Sequence, residues 1–302
     1  MTQRTSGTLM VLASAAGFAT LAIFVKYAYA AGVTTVTMLT GRFLLAALAL
    51  WAVVIMRKIP IVTDKKIVIK LCLMGILGYC VVSILFTSTL YYLPASLAAM
   101  LLYAYPALVT LIAFIIGDEV FSWNKGIALV ICFLGLFLVL GVSFSSLQPI
   151  GIMLGLSAAL VYSVYIVVGN RVLKSINPLL ATTYVCSAAG IALLVGGWAA
   201  GYQSLDFDPH GWADIFGMAL LGTIVGILGL FAGMSRIGAA NASIISITEP
   251  VITVILSVLL LAEELTLLQV IGGLLIIAGI IVLQVWAKEQ APYMENEQLD
   301  RI

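Results

Sequence analysis

The chain has 302 residues, of which 63% are hydrophobic and 9% charged, with a formal net charge of +1. A soluble domain carries roughly 25% charged residues, so this chain lacks the polar surface needed to fold in water. With no basic cluster to follow a phosphate backbone, a nucleic-acid partner is also excluded.

Apolar runs of about 20 residues recur throughout, each long enough to cross a ~30 Å hydrocarbon core. The pattern is that of an all-α membrane protein embedded in the lipid bilayer; a β-barrel would need short segments of alternating polarity. Taken in order, ten transmembrane helices are expected, at approximately 8–30, 36–56, 70–91, 95–116, 126–144, 150–168, 179–200, 213–233, 240–261 and 267–287. The first run, from Thr8, is too long for the apolar part of a signal peptide and leads into further spans, so it reads as a retained helix. Pro94, Pro149 and Pro178 stand at or just before helix starts, where a missing backbone N–H costs least. The longest loops are 57–69, 169–178 and 201–212, and a polar tail, 289–302, follows the last span. The four cysteines, Cys72, Cys80, Cys132 and Cys186, fall inside apolar runs without CxxC or metal-ligand spacing, so they read as small buried hydrophobes.

Basic residues set the orientation. With both termini cytoplasmic, Arg4, Arg57, Lys58, Lys65, Lys66, Lys70, Lys125, Arg171, Lys174, Arg236, Lys288 and Arg301 lie on the inner side, 12 of the 14 Lys and Arg residues. The other two, Lys26 and Arg42, lie within spans. The loop 201–212 and the start of the eighth span hold Asp206, Asp208, His210 and Asp214 and are expected outside. This is the positive-inside distribution of a multi-pass cell-membrane protein, with the tail in the cytoplasm.

The two halves repeat. Tyr105-Pro106, Glu119, Ile127 and Gly135 are answered by Glu249-Pro250, Glu263, Ile271 and Gly279, each 144 positions later without a gap. Gly7/Gly151, Leu12/Leu156, Ala15/Ala159, Gly78/Gly222, Ala95/Ala239 and Ala98/Ala242 keep that offset. The expected units are 1–145 and 146–288, of five helices each. Five is odd, so the second unit enters the membrane from the opposite side and the halves are inverted repeats. Secondary transporters commonly use this design to alternate access to a site at mid-membrane, although some channels share it.

The helix lead-ins Pro94-Ala95-Ser96-Leu97-Ala98 and Gly238-Ala239-Ala240-Asn241-Ala242 run on to the prolines of each half. They are followed by the helix-end glutamates of Gly117-Asp118-Glu119 and Leu261-Ala262-Glu263 and by a glycine-bearing last span. With Lys26 and Arg42, this pattern resembles the EamA family of the drug/metabolite transporter superfamily over nearly the whole chain. The resemblance implies ten helices in two inverted five-helix repeats, and the export or exchange of small metabolites, often amino acids. Lys26 and Arg42 depart from the internal symmetry, because Asn170 and Cys186 stand at their second-half counterparts.

Glu249 is the sharpest candidate for function. It falls near the bilayer centre, where a charged carboxylate costs at least ~2.5–3.5 kcal/mol. A carboxyl group there suits proton coupling, or a protonated structural bond between helices. Ala242, Ser246, Glu249, Thr253 and Ser257 follow at helical spacing and form a small, polar stripe suited to a cavity or another helix. Pro250 removes a backbone bond and frees a carbonyl near Ser246. Asn241, at the head of the same span, joins the candidate set. Lys26 and Arg42 lie toward the outer ends of their spans and either line a cavity that attracts carboxylates, lock onto an acid in one state, anchor helix ends by snorkelling, or pair locally. For Arg42 the anchor reading leads, because the second span is expected at the periphery. Tyr79, Tyr103, Tyr105, Tyr162 and Tyr165 need partners for their hydroxyls within hydrocarbon and therefore face the bundle or a cavity. Tyr105 occupies the counterpart position of Glu249. Glu119 and Glu263 are expected to cap the helices that follow them, and Gly222, Gly226, Gly229 and Gly233 to form a packing seam.

An enzyme would require a nucleophile with its base, or a metal cluster. The only histidine is His210, and no HExxH or GxSxG pattern occurs. No cofactor is implied. A channel would need charged rings or a carbonyl filter, which the single mid-span acid does not supply. A non-transporting membrane subunit would leave the polar stripe without a purpose. The reading is therefore a secondary carrier that moves a small molecule across the inner membrane by alternating access. Export of an amino acid or related metabolite, coupled to protons through Glu249, is the leading form, and an uncoupled facilitator or exchanger is the alternative.

Overall fold

The computed structural model describes residues 3–62, 64–116, 123–141, 148–172, 176–237, 242, 245–246 and 248–282. Among the described residues every regular element is helical. These are α1 Gln3–Ala30, α2 Thr35–Met56, α3 Lys65–Tyr92, α4 Ala95–Leu102, α5 Tyr105–Ile115, α6 Trp123–Gly141, α7 Pro149–Val172, α8 Pro178–Ala199, α9 210–237, α10 Thr248–Leu261 and α11 Leu267–Val282. Seven apolar helical segments of 18 to 28 residues are long enough to cross a membrane, while Gly126–Val139, Thr248–Leu261 and Leu267–Val282 are shorter. The protein is thus a multi-pass helical membrane protein.

Local chemistry sets several helix ends. The side chains of Thr34, Asp64 and Asn177 accept from the backbone N–H groups of Thr37, Lys66 and Leu179 at the starts of α2, α3 and α8. Pro149 and Pro178 each open a helix. The span expected as one helix over 95–116 is broken at Tyr103 and Ala104. Pro106, which has no N–H for the Leu102 carbonyl, stands in the first turn of α5, where that loss is tolerated. Two long helices contain a π-helical stretch, Met74–Cys80 within α3 and Leu220–Val225 within α9. Such wide turns interrupt the regular hydrogen-bond ladder and recur at functional sites.

Small residues decide the packing. α1 lies along α9, and the glycines of the expected seam are the reason. A Cβ on Gly222 would stand 2.1 Å from Leu21, on Gly226 2.6 Å from Phe18, and on Gly233 2.3 Å from Val11. Ser14 donates to the Gly226 carbonyl across the same contact. Equivalent contacts recur with the halves exchanged. Gly78 meets Tyr165 as Gly222 meets Leu21, and Gly151 meets Leu93 as Gly7 meets Ile237, each residue displaced by 144 positions from its counterpart. α2 packs on α8, and α6 packs on α11 through Gly135, Gly272 and Gly279. At one end of the bundle, Asp208 N–H bonds the Ala31 carbonyl, Thr34 bonds the Tyr202 carbonyl and Tyr27 bonds the Leu260 carbonyl.

Candidate functional site

Arg42 is 5% exposed and sits inside the bundle, not at its periphery. It projects from α2 toward the two π-helical stretches. Its Nε donates to Thr223 Oγ1 at 3.0 Å, its guanidinium reaches the Tyr79 hydroxyl at 3.4 Å, and its Cζ stands 5.1 Å from the centre of the Phe43 ring. Of the sequence readings, the peripheral helix-end anchor does not describe Arg42, whereas local pairing does, with Thr223 and Tyr79. Arg42 lies on the face of α2 that packs on α8 and α9, so the guanidinium points into the bundle and not to the headgroups. Among the described residues these three partners are neutral, so none of them offsets the guanidinium charge. Thr223 in turn donates to the Met218 carbonyl at 3.1 Å, one of the bonds displaced by the π turn.

Five tyrosines continue from Arg42 in one row. Tyr79 stacks on Tyr165 with ring centres 5.8 Å apart, Tyr165 on Tyr162 at 6.2 Å, Tyr162 meets Tyr105 edge-on at 4.7 Å, and Tyr105 lies 6.1 Å from Tyr103. The row ends at Glu249, whose carboxyl the Tyr103 hydroxyl faces at hydrogen-bonding range. It curls, so that Glu249 is within electrostatic reach of Tyr79, Tyr105 and Tyr162 as well. α3, α5, α7 and α10 and the break between α4 and α5 each supply a member. All five tyrosines and Glu249 are partly accessible. The Ser163 hydroxyl lies 2.6 Å from the Ala159 carbonyl of its own helix and 3.1 Å from the Tyr105 carbonyl at the break, sharing its one proton between them.

The polar stripe on α10 divides. Glu249 and Ser246 are partly accessible, whereas Thr253 and Ser257 are 4% and 0% exposed and packed between helices. Ser246, Thr253 and Ser257 donate to the carbonyls of Ala242, Glu249 and Val254 on their own helix, which satisfies their protons without a ligand. Asn241 and Glu119 lie outside the described residues.

Lys26 is not part of the tyrosine row. Its Nζ donates to the Leu93 carbonyl at 2.6 Å, at the junction of α3 and α4, and lies within electrostatic reach of Glu263. Glu263 corrects a second expectation, since it caps α4 of the other half and not the helix that follows it. It accepts from Ala95 N–H, from Ser96 N–H at 3.0 Å and from Ser96 Oγ at 2.6 Å. Sequence reasoning missed Thr223 and Ser96; Cys186, read as a small buried hydrophobe, is buried, beside Arg42 and Tyr79. The repeat held the signal: displaced by 144, Tyr79 falls on Thr223 and Arg42 on Cys186.

The arrangement offers a cation at one end, a carboxyl group at the other and a wall of aromatic faces between them. It can hold a small molecule with one anionic group, one ammonium group and an apolar body. Among the described residues no cluster of three or more His, Cys, Asp or Glu side chains could hold a metal ion.

Comparison with known proteins places the chain in a family. The model of the EamA-like transporter family matches residues 5–141 and again 149–285, two segments displaced by 144. A protein named uncharacterized transporter YcbK from Bacillus subtilis is 28% identical over 88% of this chain and 89% of its own length. An uncharacterized transporter from Archaeoglobus fulgidus is 25% identical over 70% and 76%. One solved crystal structure superposes with a TM-score of 0.67 at 17% identity, covering 95% of this chain and 99% of that one, a likeness of fold. With its family model matched twice across nearly the whole chain, the protein belongs to the EamA-like transporter family.

Proposed function

We propose that the protein is a secondary carrier that exports a small zwitterionic metabolite, an amino acid or close relative, with Arg42 binding the carboxylate and Glu249 the ammonium group. One observation carries this reading: the two mid-bundle charged side chains stand at opposite ends of a single row of five tyrosines. Burying a lone charge in hydrocarbon costs several kcal/mol, and a sequence retains it where a ligand or proton needs it.

The halves act as inverted five-helix repeats, 1–145 and 146–288, making ten crossings with both termini in the cytoplasm. The exchanged contact pairs at an offset of 144 and the two family-model segments support that division. Access alternates as the repeats rock about the centre, and Glu249 takes up a proton when the substrate amine leaves. Inward proton flow thereby drives export.

The experiment is uptake of a labelled panel of amino acids and related metabolites into proteoliposomes, with and without an imposed pH gradient. Saturable movement of one zwitterion, accumulated only when the gradient is present, is expected. Saturable flux indifferent to the gradient would replace coupling with facilitated diffusion. Linear, unsaturable flux for every compound would remove the carrier assignment.

A further inference from the structure

We infer that Glu263 is the latch that holds the outer face of the carrier shut, by capping α4 across the boundary between the two halves; this rests on the alternating-access reading above. The first N–H groups of a helix have no partner within it and are usually satisfied by a side chain just before the helix. α4 lacks that arrangement, because Pro94 at its N-cap makes no side-chain bond. The Glu263 carboxylate, 168 positions from Ala95, does the work instead. It takes the N–H groups of Ala95 and Ser96 and the Ser96 hydroxyl, three bonds to one anion at the positive end of a helix.

A second observation points the same way. Ala262 has φ of 53°, in the left-handed region that costs an alanine and is normally given to glycine. That turn ends α10, with Glu263 N–H bonded to the Ser257 carbonyl at 3.3 Å, and aims the next side chain at α4. Strain of this kind persists where surrounding contacts over-determine it and clusters at switch regions. One further bond crosses the same boundary, from the Tyr27 hydroxyl on α1 to the Leu260 carbonyl on α10, beside the Lys26 bond that ties α1 to Leu93 just before α4. Opening the outer face requires α10 to part from α4 and α1. The Tyr27 bond is a single contact, whereas Glu263 must give up three at once. Glu263 therefore sets how much of the population faces inward.

The test needs no substrate. Ser257, buried on α10, is replaced by cysteine, and its labelling by a membrane-impermeant thiol reagent is followed from outside the cell, in the otherwise intact protein and with Glu263→Ala added. The protein with only its four native cysteines gives the background. Slow labelling of the Ser257→Cys protein is expected, rising by about tenfold or more with Glu263→Ala and by less with Ser96→Ala, which removes one of three bonds. Unchanged labelling in Glu263→Ala overturns the latch, as does fast labelling before Glu263 is altered. Melting temperature and gel-filtration profile check that each variant is folded, and if Glu263→Ala does not fold, Glu263→Gln carries the same comparison. Absence of flux for every compound would count against the carrier, while the labelling result would still decide the latch.

Discussion

Replacing Arg42 by leucine separates a binding role from a structural one. The substitution removes the Nε bond to Thr223 at 3.0 Å and the weak 3.4 Å contact to Tyr79. A charged donor contributes roughly 1.5–3 kcal/mol per well-formed bond, and the buried Tyr79 hydroxyl loses a partner worth about 1–3 kcal/mol. Against this, the leucine variant no longer buries a guanidinium, which relieves a desolvation penalty of several kcal/mol, roughly, in the folded state. Thr223 keeps its bond to Met218, and leucine preserves much of the packing beside Phe43. These opposed effects leave stability within about 1–2 kcal/mol of the parent. Transport behaves differently, because a lost charge-assisted bidentate bond to a carboxylate costs ~2–5 kcal/mol of binding and raises KM by about 30-fold or more. The assay pairs thermal unfolding in detergent with initial flux rates in proteoliposomes across substrate concentration. A large drop in melting temperature accompanied by an unchanged KM would show that Arg42 holds the bundle together and leaves the substrate alone.

Other consequences are as direct. Gly222→Val places a branched side chain where a Cβ alone would stand 2.1 Å from Leu21. It should cost about 1–3 kcal/mol, read as a lower melting temperature, and Leu21→Ala should recover most of that. Tyr103→Phe leaves the ring row intact and removes the hydroxyl that faces Glu249. It is expected to change gradient-driven accumulation more than gradient-free exchange, and an equal loss in both would assign Tyr103 to substrate binding. Cysteines placed singly at 4 and 300 should react with an impermeant reagent only after the membrane is permeabilised. Labelling of intact cells would reverse the orientation.

Much of the fold is legible in the sequence because hydrocarbon imposes a length and a polarity on every span, and few residues disguise them. The break at Tyr103 is less so. Pro106 marks it, but the sequence reading kept one helix over 95–116, since a proline alone does not say whether a helix bends or stops. A tyrosine hydroxyl inside hydrocarbon needs a partner, which points the five tyrosines inward, and the structure brings all five together with Glu249. Arg42 was misread because distance from a span's end measures depth in the membrane and not which way the face of α2 points. That depends on α8 and α9, far along the chain. Glu263 was misread for a related reason: helix capping is usually local, and its partner is 168 positions away. The polar stripe shows the opposite limit, since hydroxyls at helical spacing look like a lining but bond back to their own carbonyls.

The most direct test of the site uses one transported zwitterion, its carboxamide and its N-acetyl derivative against the parent, Arg42→Leu and Glu249→Gln, in counterflow. The parent should reject both derivatives. Arg42→Leu should lose its preference for the acid over the amide while still rejecting the N-acetyl compound, and Glu249→Gln should show the converse. If both variants weaken all three compounds in equal proportion, neither residue reads a charged end of the substrate, and the account of the tyrosine-lined site fails.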